Sequence, residues 1–137
     1  VVSPERIREL LAPTQIYVKP LLKVFSDNLI KGAAHITGGG FFENIPRSVP
    51  DTSLASKINK TSWSLPEIFQ WLQFEGGISD SEMLSTFNCG VGMVLFSEPS
   101  NTETLINNLG AENCDAFKIG EVVRSDYTPK KSELLIR

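Results

Sequence analysis

Strand, turn and helix follow one another in Lys31-Gly32-Ala33-Ala34-His35-Ile36-Thr37-Gly38-Gly39-Gly40-Phe41-Phe42-Glu43-Asn44-Ile45-Pro46-Arg47. The small, mostly apolar run over 31–37 predicts a buried strand, and three successive glycines predict the turn that leaves it. Glycine tolerates positive φ and lets backbone amides come close to a ligand, and a helix starting at Phe41 would aim its free N–H groups at the same place. Such a loop suits an anion. Thr37 adds a hydroxyl, Asn44 a carboxamide, and Arg47 a fork of donors matched to phosphate or carboxylate. The plainer alternative is that Gly38, Gly39 and Gly40 only make a tight strand-to-helix connection. No Gly-Lys-Ser/Thr follows them, and the G-x-G-x-x-G spacing of a dinucleotide loop is missing.

His35 is the single histidine of the chain. Its imidazole can donate a hydrogen bond or move a proton, whereas one histidine without further ligands makes no metal site. A strand histidine can equally be structural. Its place at the carboxyl end of a strand, where open α/β sheets bind ligands, favours a functional reading.

Upstream, Ser3-Pro4-Glu5 combines an N-cap, a proline suited to the first helical turn and an acid near the positive helix end, predicting a helix over 4–11 that Pro13 ends. Val18, Leu21, Leu22 and Phe25 fall at i, i+3, i+4 and i+7 and predict one apolar helix face. Downstream, alternation over 54–59 predicts a strand with one buried face. Three S-x-x-E boxes, Ser64/Glu67, Ser79/Glu82 and Ser100/Glu103, predict helix starts. Gly76-Gly77 and Gly110 predict stops for the first and third of these helices. Ile68, Phe69, Trp71 and Leu72 are expected to face inward. The apolar runs 90–96 and 116–123 predict central strands, and 133–137 an edge strand. Gly90 and Gly92 read as close-packing positions. The alternation predicts an α/β fold, an α+β sandwich with a mixed sheet flanked by helices.

At 137 residues, 41% of them hydrophobic, the chain suits one domain, 1–137. A net charge of -3 with scattered Lys and Arg argues against nucleic acid, and no apolar run reaches the roughly 20 residues of a membrane helix. A cytoplasmic protein is expected. Cys89 and Cys114 fit neither a disulfide framework nor a zinc site and read as reduced core residues. The first residue is Val rather than Met, which suggests a piece of a longer polypeptide.

Ala34-His35-Ile36-Thr37-Gly38-Gly39-Gly40, Glu43-Asn44-Ile45-Pro46-Arg47, Ser62-Trp63, Ile68-Phe69, Trp71-Leu72-Gln73 and Thr86-Phe87-Asn88-Cys89-Gly90-Val91-Gly92-Met93 together resemble the aminoimidazole ribonucleotide synthetases. Pro13-Thr14-Gln15-Ile16-Tyr17-Val18-Lys19-Pro20 and Ile119-Gly120-Glu121-Val122 match that family in the same order. The resemblance covers 3–123 and implies the C-terminal half of a two-domain, ATP-dependent cyclo-ligase of purine biosynthesis. Such an enzyme uses ATP and magnesium to convert formylglycinamidine ribonucleotide to aminoimidazole ribonucleotide. It further implies a partner N-terminal ATP-binding domain outside this chain, a homodimer when full length, and no turnover by this chain alone. In that frame His35 would be catalytic, while Thr37, Gly38, Gly39, Gly40, Asn44 and Arg47 would bind substrate or phosphate, with no metal ligands here. Gln15 departs from the basic residue usual in the family. The alternatives are the matching half of selenophosphate synthetase or of formylglycinamidine ribonucleotide amidotransferase, or a non-catalytic ligand-binding or oligomerisation module.

Overall fold

The computed structural model describes residues 2–125 and 133–136. Ser3 accepts a hydrogen bond from the Arg6 amide and caps helix α1, Pro4–Leu10, with Pro4 in its first turn. Helix α2, Val18–Ser26, carries Pro20 in its first turn as expected. Strand β1, Gly32–His35, then gives way to helix α3, Gly40–Arg47, through the glycine turn. Strand β2 is Leu54–Ile58, helix α4 Glu67–Gly76, helix α5 Asp80–Thr86, and strand β3 Met93–Phe96. Helix α6, Thr102–Ala111, and strands β4, Gly120–Arg124, and β5, Glu133–Ile136, complete the described elements.

Of the three S-x-x-E boxes, Ser79/Glu82 forms in both directions, whereas the other two do not. Pro66 stands extended at ψ 148° immediately before α4, so Glu67 opens that helix and Ser64 lies outside its reach. Ser100 is already inside a short 3-10 turn, Pro99–Asn101, that runs into α6. Gly77, at φ 58°, stops α4 as expected. Gly110 stays helical, and Asn113 takes the left-handed conformation instead, at φ 56°. Ile68, Phe69, Trp71 and Leu72 are half-buried rather than enclosed.

The expected single mixed sheet is divided in two among the described residues. β1 pairs antiparallel with β3, from Gly32 opposite Phe96 to His35 opposite Met93. The second sheet has the order β4-β2-β5, with β2 antiparallel to β4 and parallel to β5. β2 is therefore central, β3 and β4 are not, and β5 is the edge strand the sequence suggested. β3 starts late because Cys89 and Gly90 both take positive φ, 50° and 91°, which turns the chain before it can extend.

The fold is α+β, and the β1–β3 ribbon separates two apolar cores. Val94 points into one with Ala34, Ile36, Phe41, Ile45 and Met83, while Leu95 points into the other with Val24, Ile30, Leu105 and Leu109. Phe41 and Ile45 are wholly buried, so the apolar face of α3 anchors the helix that follows the glycine turn. Burial of each contributes about 1.5–3 kcal/mol. Phe41 stacks on Trp63 at 5.8 Å, and the Trp63 indole N–H donates to the Cys89 carbonyl at 3.0 Å.

Both cysteines are free and buried. Burial pushes the Cys89 thiol from its ordinary 9.0 up to about 11. The unfolded chain therefore releases this proton first, so the contribution is intact below pH 9 and lost as pH rises toward 11. The melting temperature is expected to fall across that window, and Cys89→Ala to flatten part of the fall relative to wild type. An identical slope in the variant would show that Cys89 does not titrate in this way.

Candidate functional site

The glycine turn is built by two packing requirements and one polar clamp. Gly39, at φ 89°, is the N-cap of α3, and Gly40 follows at φ 53°. A side chain at Gly40 would collide with the Leu84 carbonyl at the end of α5, so helix packing alone explains that glycine. Gly38 differs: its φ is ordinary, and nothing lies within 4 Å of where its side chain would stand. It is exposed, and no packing in the described residues calls for glycine there.

Asn44, buried at 7% exposure on α3, supplies the clamp. Its Nδ2 donates to the carbonyls of Gly40 at 2.7 Å and of Thr37 and Gly38 at 3.3 Å each. All peptide bonds among the described residues are trans, so the N–H and C=O of each unit point in opposite directions. Carbonyls of Thr37 and Gly38 drawn toward Asn44 therefore turn the amides of Gly38 and Gly39 away from the helix. Neither amide makes a hydrogen bond within the described residues, whereas the Gly40 amide is used internally, donating to the Thr37 carbonyl at 3.0 Å. The expectation that Asn44 offers its amide outward is thus corrected. Its donors hold the loop in shape.

Arg47, expected to present its fork to an anion, lies four residues after Glu43 and donates to its carboxylate at 3.1 Å, both side chains being largely exposed. That carboxylate also lies over Gly39, with Oε2 2.5 Å from where a side chain there would begin. Glu43 thus occupies ground beside the outward amides; its pairing with Arg47 is legible in the sequence from their i, i+4 spacing, its closeness to Gly39 is not. His35 and Thr37 are exposed beside the turn. The His35 ring meets Tyr17 edge-on at 5.9 Å, and the Tyr17 hydroxyl fills the place that a side chain at Gly92 would need. Close packing therefore accounts for Gly92, and Pro66 against Gly90 does the same there.

The site forms a surface ledge. A groove of about 1120 Å³ runs between the Leu54, Ser56 and Ile58 face of the second sheet and β3 with α6, and a hollow of about 210 Å³ lies among Lys60, Trp63, Gln73, Asp80 and Cys89. His35, Thr37, Gly38, Gly39, Gly40, Asn44 and Arg47 line neither. The structure brings His35, Thr37 and the three glycines onto one continuous stretch of strand end and turn, with Asn44 beneath and Arg47 at the far end of α3.

A protein family described as AIR synthase related protein, C-terminal domain, matches residues 3–129. A phosphoribosylformylglycinamidine cyclo-ligase of Chromobacterium violaceum is 49% identical over 112 residues, 82% of this chain and 32% of that protein. Proteins of the same name from Geotalea daltonii and Staphylococcus epidermidis are 48% and 44% identical over 86% and 87% of this chain and 34% of each relative. The chain spans about a third of the length of these curated relatives.

The clamp predicts a pH-dependent penalty for Asn44→Asp. A buried carboxylate facing carbonyl oxygens is held neutral, its pKa raised, so the cost relative to wild type is smaller in acid and grows as pH rises through the ordinary carboxylate range. At neutral pH it is expected to reach about 3 kcal/mol, against about 1–3 kcal/mol for Asn44→Ala. Chemical denaturation of both variants at pH 4 and 7 measures this, and a penalty independent of pH would disprove the clamp.

Proposed function

The chain belongs to the AIR synthase related protein C-terminal domain family, and from that membership we propose that it is the C-terminal part of a phosphoribosylformylglycinamidine cyclo-ligase. In this reading ATP phosphorylates the amide oxygen of formylglycinamidine ribonucleotide. A nitrogen of the same substrate then displaces phosphate, and loss of a proton leaves the closed imidazole ring. The observation that carries the reading is the pair of outward, unpartnered amides of Gly38 and Gly39, held by Asn44 on an exposed ledge. Preorganised donors of this kind stabilise charge that develops on phosphoryl oxygen.

Each residue then has a distinct task. Gly38 and Gly39 donate to the anion, with the Thr37 hydroxyl beside them. Asn44 positions the loop without touching substrate. Arg47 turns from Glu43 toward phosphate, and His35, exposed and braced by Tyr17, holds or moves a proton at the substrate amide. In this reading, as the family resemblance implies, magnesium and most of the ATP contacts belong to the N-terminal part. An open ledge is the half of a cleft that a partner domain completes. A homodimer of the full-length enzyme belongs to the same proposal.

The N-terminal two-thirds of the Chromobacterium violaceum relative, supplied in trans with formylglycinamidine ribonucleotide and ATP, is expected to restore cyclisation, measured as aminoimidazole ribonucleotide formed. The chain alone is expected to give none. Product from the chain alone would overturn the division of labour, and calorimetric binding without restorable turnover would favour a non-catalytic module. In the restored enzyme, Arg47→Ala is expected to weaken ligand binding by more than about 1 kcal/mol, the scale of a charge-assisted contact. Glu43→Gln, which releases the Arg47 fork, is expected to strengthen it. Unchanged affinity in both variants would leave the pair a surface ion pair worth at most about 1 kcal/mol.

A further inference from the structure

Helix α2 is apolar on two faces, and the structure covers one of them. Val24 is wholly buried, with Leu21 half-buried, against Leu105 and Leu109 of α6. On the other face the periodic stripe of the sequence stays open: Val18 is 62% exposed, Leu22 64% and Phe25 48%, and Ile16 just before the helix is 81% exposed. Of the face that the sequence assigns to Val18, Leu21, Leu22 and Phe25, Leu21 is half-buried and the other three stay open. Lys19, Lys23 and Ser26 form the polar side of α2, so its apolar arc is wider than the contact with α6 covers.

The preceding helix behaves alike. α1 has no buried residue, and its own stripe of Ile7, Leu10 and Leu11 is open. Its hold on the rest is polar: Arg6 pairs with Glu67 at 2.9 Å and lies over Trp71 at 5.9 Å. Among the described residues, eight of the twelve exposed large apolar side chains lie between Val2 and Phe25. Scattered apolar residues are ordinary on a surface, but stripes kept open on two successive helices, α1 packed on α4 and α2 on α6, mark surface that a partner covers.

We propose that this face of α1 and α2 is the seat of the N-terminal part of the synthetase. The assignment rests on the cyclo-ligase reading and adds to it the surface by which the two parts meet. The matching family is a C-terminal domain, and the relatives hold about two-thirds of their length outside the match. Because the matching family is described as a C-terminal domain, that portion on the cyclo-ligase reading joins on the N-terminal side of residue 3, where the open stripes begin. Docking within one polypeptide is favoured by the high effective concentration of a short tether, and an apolar face placed at the junction is where such docking takes effect. A second copy of the chain would need the same face without that advantage.

The test titrates labelled 137-residue chain with the N-terminal two-thirds of the Chromobacterium violaceum cyclo-ligase. A saturable complex is expected. Leu22→Asp and Phe25→Asp should each weaken it about tenfold or more, with circular dichroism and melting temperature close to wild type. Phe74→Asp, which changes an 83% exposed residue outside the face, should leave the affinity unchanged. Absence of a complex, or affinities insensitive to Leu22→Asp and Phe25→Asp, would overturn the assignment. So would sedimentation showing a dimer of the chain that Leu22→Asp disperses, since the face would then belong to a second copy. Cyclisation restored in trans yet indifferent to these substitutions would sink the docking face and keep the cyclo-ligase. A complex sensitive to them without any turnover would do the reverse.

Discussion

One buried carboxamide governs the candidate site. Asn44 draws the carbonyls of Thr37, Gly38 and Gly40 toward α3, and because a trans peptide sets its N–H opposite its C=O, the same contacts direct two amides outward. The turn would otherwise bury polar backbone without partners, which is costly. Asn44 is itself held by its neighbours on α3, where Phe41 and Ile45 fill the first core without exposed surface. The loop's outward face is thus a consequence of how its inner face is satisfied.

The β1–β3 ribbon does comparable work on a larger scale. Successive residues of β3 serve different cores, Val94 one and Leu95 the other, so a slip of one residue in its register with β1 would send each side chain to the wrong core. Ser48 adds a pin, its hydroxyl donating to the Ala33 carbonyl at 2.7 Å and tying the end of α3 back to β1. Strand, turn and helix are in this way closed into a unit. The second core leans on α2, whose far side is open.

Charge is arranged locally. Lys23 with Glu112, Lys57 with Glu121 and Lys60 with Asp80 hold those carboxyl groups below their ordinary range, and all are exposed pairs that modestly steady the edges of elements. Glu43 and Arg47 belong to the same class by geometry, yet the Glu43 carboxylate lies beside the outward amides, where a rearrangement of one exposed pair alters what the ledge offers.

The sequence by itself determined the local grammar: the proline-led start of α1, the reciprocal Ser79/Glu82 cap, the left-handed stop at Gly77, the edge strand at the C-terminal end and the strand–glycine–helix order of the candidate site. Each depends on residues a few positions apart, whose conformational preferences act before any tertiary contact. The family resemblance was legible in the same way, from ordered strings. Only the tertiary structure decided which apolar stripe of α2 is covered, that β2 rather than β3 is central, that Ser64 and Ser100 cap nothing, that Gly40 answers to the Leu84 carbonyl while Gly38 answers to no neighbour, and that Asn44 faces inward. In every one of those cases the deciding partner is remote in sequence or depends on a neighbour's backbone angle. Periodicity tells which residues share a face; the far side of the chain tells whether anything comes to cover it.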